Sequence, residues 1–206
     1  MTIAMAAVPA LAGRGHTARR VLLLPLEFMP WHRARPWTYA AQLAFEEGFA
    51  AQGVEVVTLP ALCEVPSSAR GSWLSRFDRL VGRQRFDQVW IWLCHPDYDD
   101  GLMERLTNLA PVRVGVLMES LQYTVRERKA HPYFHDYEPT VLKQSRSLTH
   151  IVTADEVDAV DLRQTTAAKT LWWPGTVPRR LLAEVPNALP ETPAAFFGAL
   201  YGDRAR

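Results

Sequence analysis

The chain has 206 residues, of which 48% are hydrophobic, 22% charged and 10% aromatic, and its formal net charge is +1. This length supports one generous domain, or one and a fraction, with a substantial core, while the near-neutral balance excludes the overall basic field that nonspecific nucleic-acid binding requires, so no nucleic-acid partner is expected. No apolar run reaches the roughly 18 residues that a membrane span needs, so no transmembrane segment is expected either.

Cys63 and Cys94 lie far apart in apolar or strand-like settings, which suits a reduced, cytoplasmic protein and neither a disulfide scaffold nor a metal site. In the opening MTIAMAAVPALAGRGHTARR the apolar patch precedes Arg14, Arg19 and Arg20, the reverse of a secretory signal's order. Residues 1–18 are expected to form a flexible tail.

RVLLLPLEF (20–28) reads as a first buried strand, followed by the long loop MPWHRARPWTY. The spacing of Tyr39, Leu43, Ala44, Phe45, Gly48 and Phe49 predicts a helix over 38–52, with Thr38 as N-cap and Gly53 as its stop. VEVVTL (54–59) is a second strand and 60–71 a loop. Trp73, Phe77, Leu80 and Val81 then share one face of a helix over 72–84. DQVWIWL (87–93) is the third strand, running into CHPDYDD, and 99–109 alternates charge and Leu at helical spacing.

The stretch PVRVGVLMESLQY (111–123) predicts the central strand. Val112, Val114, Val116 and Leu117 leave hardly a polar break, as in a strand buried on both faces of a parallel sheet. A helix over 138–148, a strand over 149–153 ending at Asp155, a helix over 156–166 and a sixth strand, KTLWW (169–173), broken by Pro174 and Gly175, complete the series. Strands alternating with helices about every 30 residues predict an α/β fold: a doubly wound, mainly parallel, Rossmann-like sheet with helices on both faces, over 19–178. Residues 179–193 are a proline-rich linker by composition. AAFFGALY (194–201) is strand-like again, so 194–206 is expected to be the first strand of a second, missing domain or an added edge strand.

In open α/β sheets the ligand crevice lies outside the carboxyl ends of the strands. Glu27, His95, Asp97, Glu119, Ser120 and Asp155 fall at or just past those ends and are expected to share one rim. A histidine and a carboxylate within hydrogen-bond reach serve as general base and orienter for a hydroxyl nucleophile, which makes His95 and Glu119 the catalytic candidates. The structural alternative is that Glu27 and Glu119 cap helices or accept backbone N–H groups, and that His95 is a turn residue before Pro96.

The first loop places His32, Arg33 and Arg35 between Trp31 and Trp37, side chains that hold an anionic or sugar-like ligand by charged hydrogen bonds and stacking. A solvated loop pinned by two tryptophans is the plainer account. There is no G-x-G-x-x-G and no G-x-x-x-x-G-K-[ST], which disfavours a dinucleotide-dependent dehydrogenase or an NTPase, and no cofactor is expected. G-x-S-x-G is also missing, so Ser120 reads as a helix cap and not as a nucleophile. His131 and His135 have i, i+4 spacing beside Asp136 and Glu138, but Pro132 and the aromatics Tyr133, Phe134 and Tyr137 make this a loop; no metal is expected. That aromatic loop, beside the basic Arg126, Arg128 and Lys129, is read as flanking the crevice. WWPGTVP (172–178) packs tryptophan against a sheet edge or a neighbouring domain, or stacks a sugar.

Strand, long loop and helix, then FDQVWIWL, VGVLMESLQY, THIVTAD, WWPGTVP and, after the linker, AAFFGALYGDR resemble the N-terminal half of GT-B glycosyltransferases, especially the CgeB-like and family 1- or family 4-like groups. The resemblance runs over residues 20–206. It implies an enzyme of two Rossmann-like halves that transfers a hexosyl group from a nucleotide sugar, usually without a metal, the N-terminal half holding the acceptor and the C-terminal half the donor. It further implies acceptor-side roles for the loop with His32, Arg33, Arg35 and Trp37, for His95, and for Glu119 with Ser120 and Tyr123. Gly198, Tyr201 and Arg204 match the domain-junction motif. The family's donor-site carboxylate and phosphate-binding glycine loop have no counterpart in this sequence.

The expectation is therefore the acceptor-binding half of such a transferase, truncated or split, inactive alone and completed by a C-terminal half, with a sugar or glycan acceptor as ligand. A second expectation is a noncatalytic Rossmann-like binding or assembly domain that forms homo-oligomers through its C-terminal strand, because FFGALY would otherwise be an exposed apolar edge. A third is a complete small enzyme using His95 and Glu119.

Overall fold

The apolar runs of the sequence become short strands laid side by side. The computed structural model describes residues 20–24, 40–59, 75, 77–79, 81–82, 84–93, 98–122 and 137–173, the side chains of 40–43 excepted. In chain order these form β1 (Arg20–Leu24), α1 (Ala40–Ala51), β2 (Glu55–Thr58), β3 (Gln88–Trp92), α2 (Asp100–Leu109), β4 (Val112–Leu117), α3 (Tyr137–Ser145), β5 (His150–Thr153), α4 (Glu156–Thr165) and β6 (Lys169–Trp172). The residues described between 75 and 81 are helical as well, with Phe77 and Val81 buried, as the spacing over 72–84 predicts.

The strands make one six-stranded sheet in the order β2-β1-β3-β4-β5-β6, and every pairing is parallel. The expected doubly wound, Rossmann-like α/β architecture is the one observed. Only the step from β1 to β2 runs in one direction across the sheet; every later step runs the other way. Right-handed crossovers then put α1 on one face and the later helices on the opposite face.

The two halves of the core follow that division. On the α1 face, Val21, Leu23, Trp90, Trp92, Val114 and Val116 pack with Phe45, whose ring meets Trp90 at 5.4 Å and Trp92 at 5.8 Å. On the other face, Leu22, Leu24, Ile91 and Leu117 pack with Leu102 and Leu106 of α2, Val141 of α3 and Leu162 of α4. Alternate residues of one strand thus serve opposite layers, which is why these strands read as unbroken apolar runs.

Two glycines are set by geometry. Gly53 has φ of 71°, and around it Gly53 N donates to Ala50 O at 2.9 Å while Val54 N donates to Phe49 O at 3.0 Å. This is the Schellman closure of a helix, which needs a left-handed residue after the last turn, and Gly53 ends α1 as its sequence position predicts. Gly115 lies in the middle of β4, where an added Cβ would stand 2.5 Å from Leu148 Cδ1 and 2.7 Å from Leu93 Cδ1.

The expected tail (1–18), the end of the first apolar run (25–28), the linker (179–193) and the strand-like 194–206 lie outside the described residues. Among the described residues no helix is long and apolar enough to cross a membrane.

Candidate functional site

The sheet order locates the crevice. β1 lies between β2 and β3, so the chain leaves the carboxyl end of β1 for one side of the sheet and that of β3 for the other. Such a reversal opens a gap between the two departing loops, the place where open α/β sheets bind ligands. The loops in question begin after Leu24 and after Leu93 and contain His32, Arg33, Arg35 and Trp37 in one and His95 in the other. Those five side chains lie outside the described residues; the strands that launch them are described.

The floor beneath this gap is visible. Tyr98, buried just after the β3 loop, donates from its hydroxyl to Leu24 O at 3.4 Å. Its own carbonyl accepts from Gln144 Nε2 of α3 at 3.2 Å, and Gln144 is itself buried. A buried amide side chain needs a partner of this kind. The relay from Gln144 through Tyr98 to Leu24 therefore ties α3, the chain returning from β3 and the last residue of β1 together.

One strand further along, Glu119 and Ser120, both half-buried, lie just past the end of β4. Ser120 Oγ accepts from Gln122 N at 3.1 Å, a hydroxyl turn within the loop. Ser120 was expected to cap a helix, whereas among the described residues its hydroxyl closes a local turn through residue 122.

The group that fixes this loop is Asp158, in the first turn of α4 and fully enclosed. Its Oδ2 accepts from Leu121 N at 2.8 Å and its Oδ1 from Gln122 Nε2 at 3.0 Å; Gln122 Nε2 also reaches Asp161 Oδ2 at 3.0 Å. Burial pushes the Asp158 carboxyl above the ordinary aspartate range, with Asp155 and Asp161 adding to the rise, while the hydrogen bonds from Gln122 and Leu121 oppose it. Asp155, grouped with the rim residues by its position, is used as the N-cap of α4: its Oδ1 accepts from Val157 N at 2.8 Å and Asp158 N at 3.3 Å, leaving it a structural role.

WWPGTVP begins with two tryptophans of different fate. Trp173 packs edge-on against Phe45 at 5.1 Å, whereas Trp172 is 47% exposed and donates from Nε1 to Ala154 O at 3.2 Å.

Of the sequence candidates, Glu119 and Ser120 are placed at a strand end as expected. Tyr123, His131, His135, Glu27, Asp97, Gly198, Tyr201 and Arg204 lie outside the described residues, like the five residues of the switch-point loops. Among the described residues no group of three or more His, Cys, Asp or Glu is placed to hold a metal ion. Tyr98, Gln122, Gln144 and Asp158 were not legible as site residues. The one available signal was that Asp158 stands four positions before Leu162, on the buried face of α4.

No protein-family model matches the chain, and no curated protein matches it.

Proposed function

We propose that the chain is the acceptor-binding half of a GT-B type glycosyltransferase, acting with a donor-binding half. The observation that carries this reading is the reversal in the direction of the chain's crossovers between the parallel strands β1 and β3, because the two loops that leave these strands are those with His32, Arg33, Arg35, Trp37 and His95. Guanidinium, imidazole and indole groups in these two loops suit a polyhydroxylated ligand, through charged hydrogen bonds and stacking on its apolar ring face. In this reading His95 takes the proton of the acceptor hydroxyl and Glu119, on the neighbouring strand's loop, orients the imidazole. Asp158 acts one step behind, keeping the Glu119 loop in place.

Saturation-transfer NMR with a panel of mono- and oligosaccharides tests it. Binding of at least one acceptor sugar is expected, lost in Trp37→Ala and retained in His95→Ala, which should instead abolish transfer once a donor half is supplied. Absence of binding by every sugar, or transfer from a nucleotide sugar by the chain alone, would overturn it.

A second reading, a noncatalytic assembly domain, draws on a different observation. Val157, Val160 and Trp172 are large apolar side chains left exposed on α4 and on β6, the last strand of the sheet order. Light scattering distinguishes the two: concentration-dependent oligomers abolished by Val160→Lys favour assembly, and a monomer at all concentrations removes it.

A further inference from the structure

A groove of about 880 Å³ lies at the amino edge of the sheet, where Asp87 leads into β3 and Pro111 into β4. This is the end of the strands opposite to the crevice of the candidate site. Its floor is apolar, built from Phe77, Val81, Phe86 and Leu109, and its rim is polar, with Gln84, Arg85, Arg105 and Asn108. The volume falls in the range of small-molecule sites, which combine an apolar lining with a few directed polar groups.

Two of those groups are left over by the fold. Among the described residues Gln84 Oε1 is buried and has no hydrogen-bond partner, an uncommon state for a buried acceptor and one that calls for an O–H or N–H. Arg85 is exposed and has no ion-pair partner among the described residues. The neighbouring charges are already engaged: Arg105 Nη1 meets Asp78 Oδ1 at 3.2 Å, and Asp87 Oδ2 accepts from Arg20 N at 2.9 Å. Among the described residues, an acceptor without a donor thus adjoins a guanidinium without an anion, over an apolar floor.

We propose that this groove is a second binding site, for a small phosphorylated polyol, a sugar phosphate or a nucleotide. A ligand hydroxyl or N–H donates to Gln84 Oε1, and Arg85 holds the phosphate through its paired N–H donors. Asn108 completes the rim: its Nδ2 is directed to Glu104 O at 3.5 Å, which leaves its Oδ1 for a further hydroxyl. The site is separate from the crevice at the carboxyl ends of the strands, and it does not depend on the acceptor-half reading.

Amide-resolved NMR titration of the full chain with glucose phosphate, uridine monophosphate and inorganic phosphate tests the assignment. Shifts confined to residues 81–87 and 105–111 are expected with one or both organic phosphates, and the stronger of the two identifies the class. Gln84→Leu and Arg85→Gln should each weaken that binding by about tenfold, the usual cost of losing a directed or charged partner. In the ligand-free protein Gln84→Leu should unfold at the same denaturant concentration as the parent or a higher one, since an unused acceptor is replaced by an apolar group of similar size. The proposal is overturned if none of the three probes shifts these amides, if inorganic phosphate binds as tightly as the organic phosphates, or if both variants bind like the parent. A lower unfolding midpoint for Gln84→Leu would also overturn it, by showing that the fold itself uses the amide.

Discussion

At the carboxyl edge of the sheet, Asp158 is enclosed and both its oxygens are occupied, one by a backbone N–H and one by an amide. At the amino edge, Gln84 is also partly enclosed, yet its oxygen meets no donor among the described residues. The first arrangement uses a buried polar group to hold a loop that leaves a strand. The second leaves a side-chain oxygen without a hydrogen bond among the described residues. A polar atom that is buried and satisfied reports on architecture, whereas one that is buried and unsatisfied points to a missing partner.

The largest expected effect breaks the satisfied side. Asp158→Ala removes the acceptor of Leu121 N and one partner of Gln122, and should destabilise the protein by about 2–4 kcal/mol in urea unfolding, because a buried donor is left unpaired. A loss within experimental error would mean that the loop after β4 is not held from α4. Arg113 supplies the control at the amino edge, beside the groove but bonded: its Nε donates to Ser147 O at 2.6 Å and its Nη1 to Ala110 O at 2.9 Å. Arg113→Ala should therefore cost about 1–2 kcal/mol, in contrast to the neutral outcome expected of Gln84→Leu; equal effects would erase the distinction between bonded and leftover groups.

The smallest effect concerns pH. Since burial raises the folded carboxyl of Asp158 above the ordinary value of 3.8, the folded state binds its proton more tightly than the unfolded chain. The resulting contribution is fully present below 3.8 and is lost as pH rises through the raised folded value. Measured against Asp158→Asn, which does not titrate, the parent should lose relative stability as pH climbs out of that range. A flat difference, or one of the opposite slope, would show that the two hydrogen bonds outweigh burial.

Much of the fold was legible because the strands are buried on both faces. RVLLL and VRVGVL carry no alternation to misread, and Gly53 announces the end of α1 through the left-handed turn that only a residue of its kind adopts readily. The order of the strands was not legible, since the same alternation of strand and helix serves any doubly wound sheet, and so the gap between β1 and β3 could not be singled out from the other strand ends. The candidate site was read only in part for a related reason. Glu119 stands at a strand end by sequence position alone, whereas Asp158 looks like an ordinary acidic residue in the first turn of a helix and Tyr98 like a turn residue after Pro96. Their roles come from groups 37 and 74 positions away in the chain.

Gly115 bears on how β5 finds its place. A parallel ladder displaced by two residues keeps every side chain on its proper face, so hydrophobic pattern does not forbid that error. The leucines that converge over the bare backbone at Gly115 do: such a displacement would bring Arg113 or Leu117 beneath Leu148, where no room exists. The absent methyl works as an indexing notch, and it lets the chain reject a misaligned sheet that its polarity alone would accept.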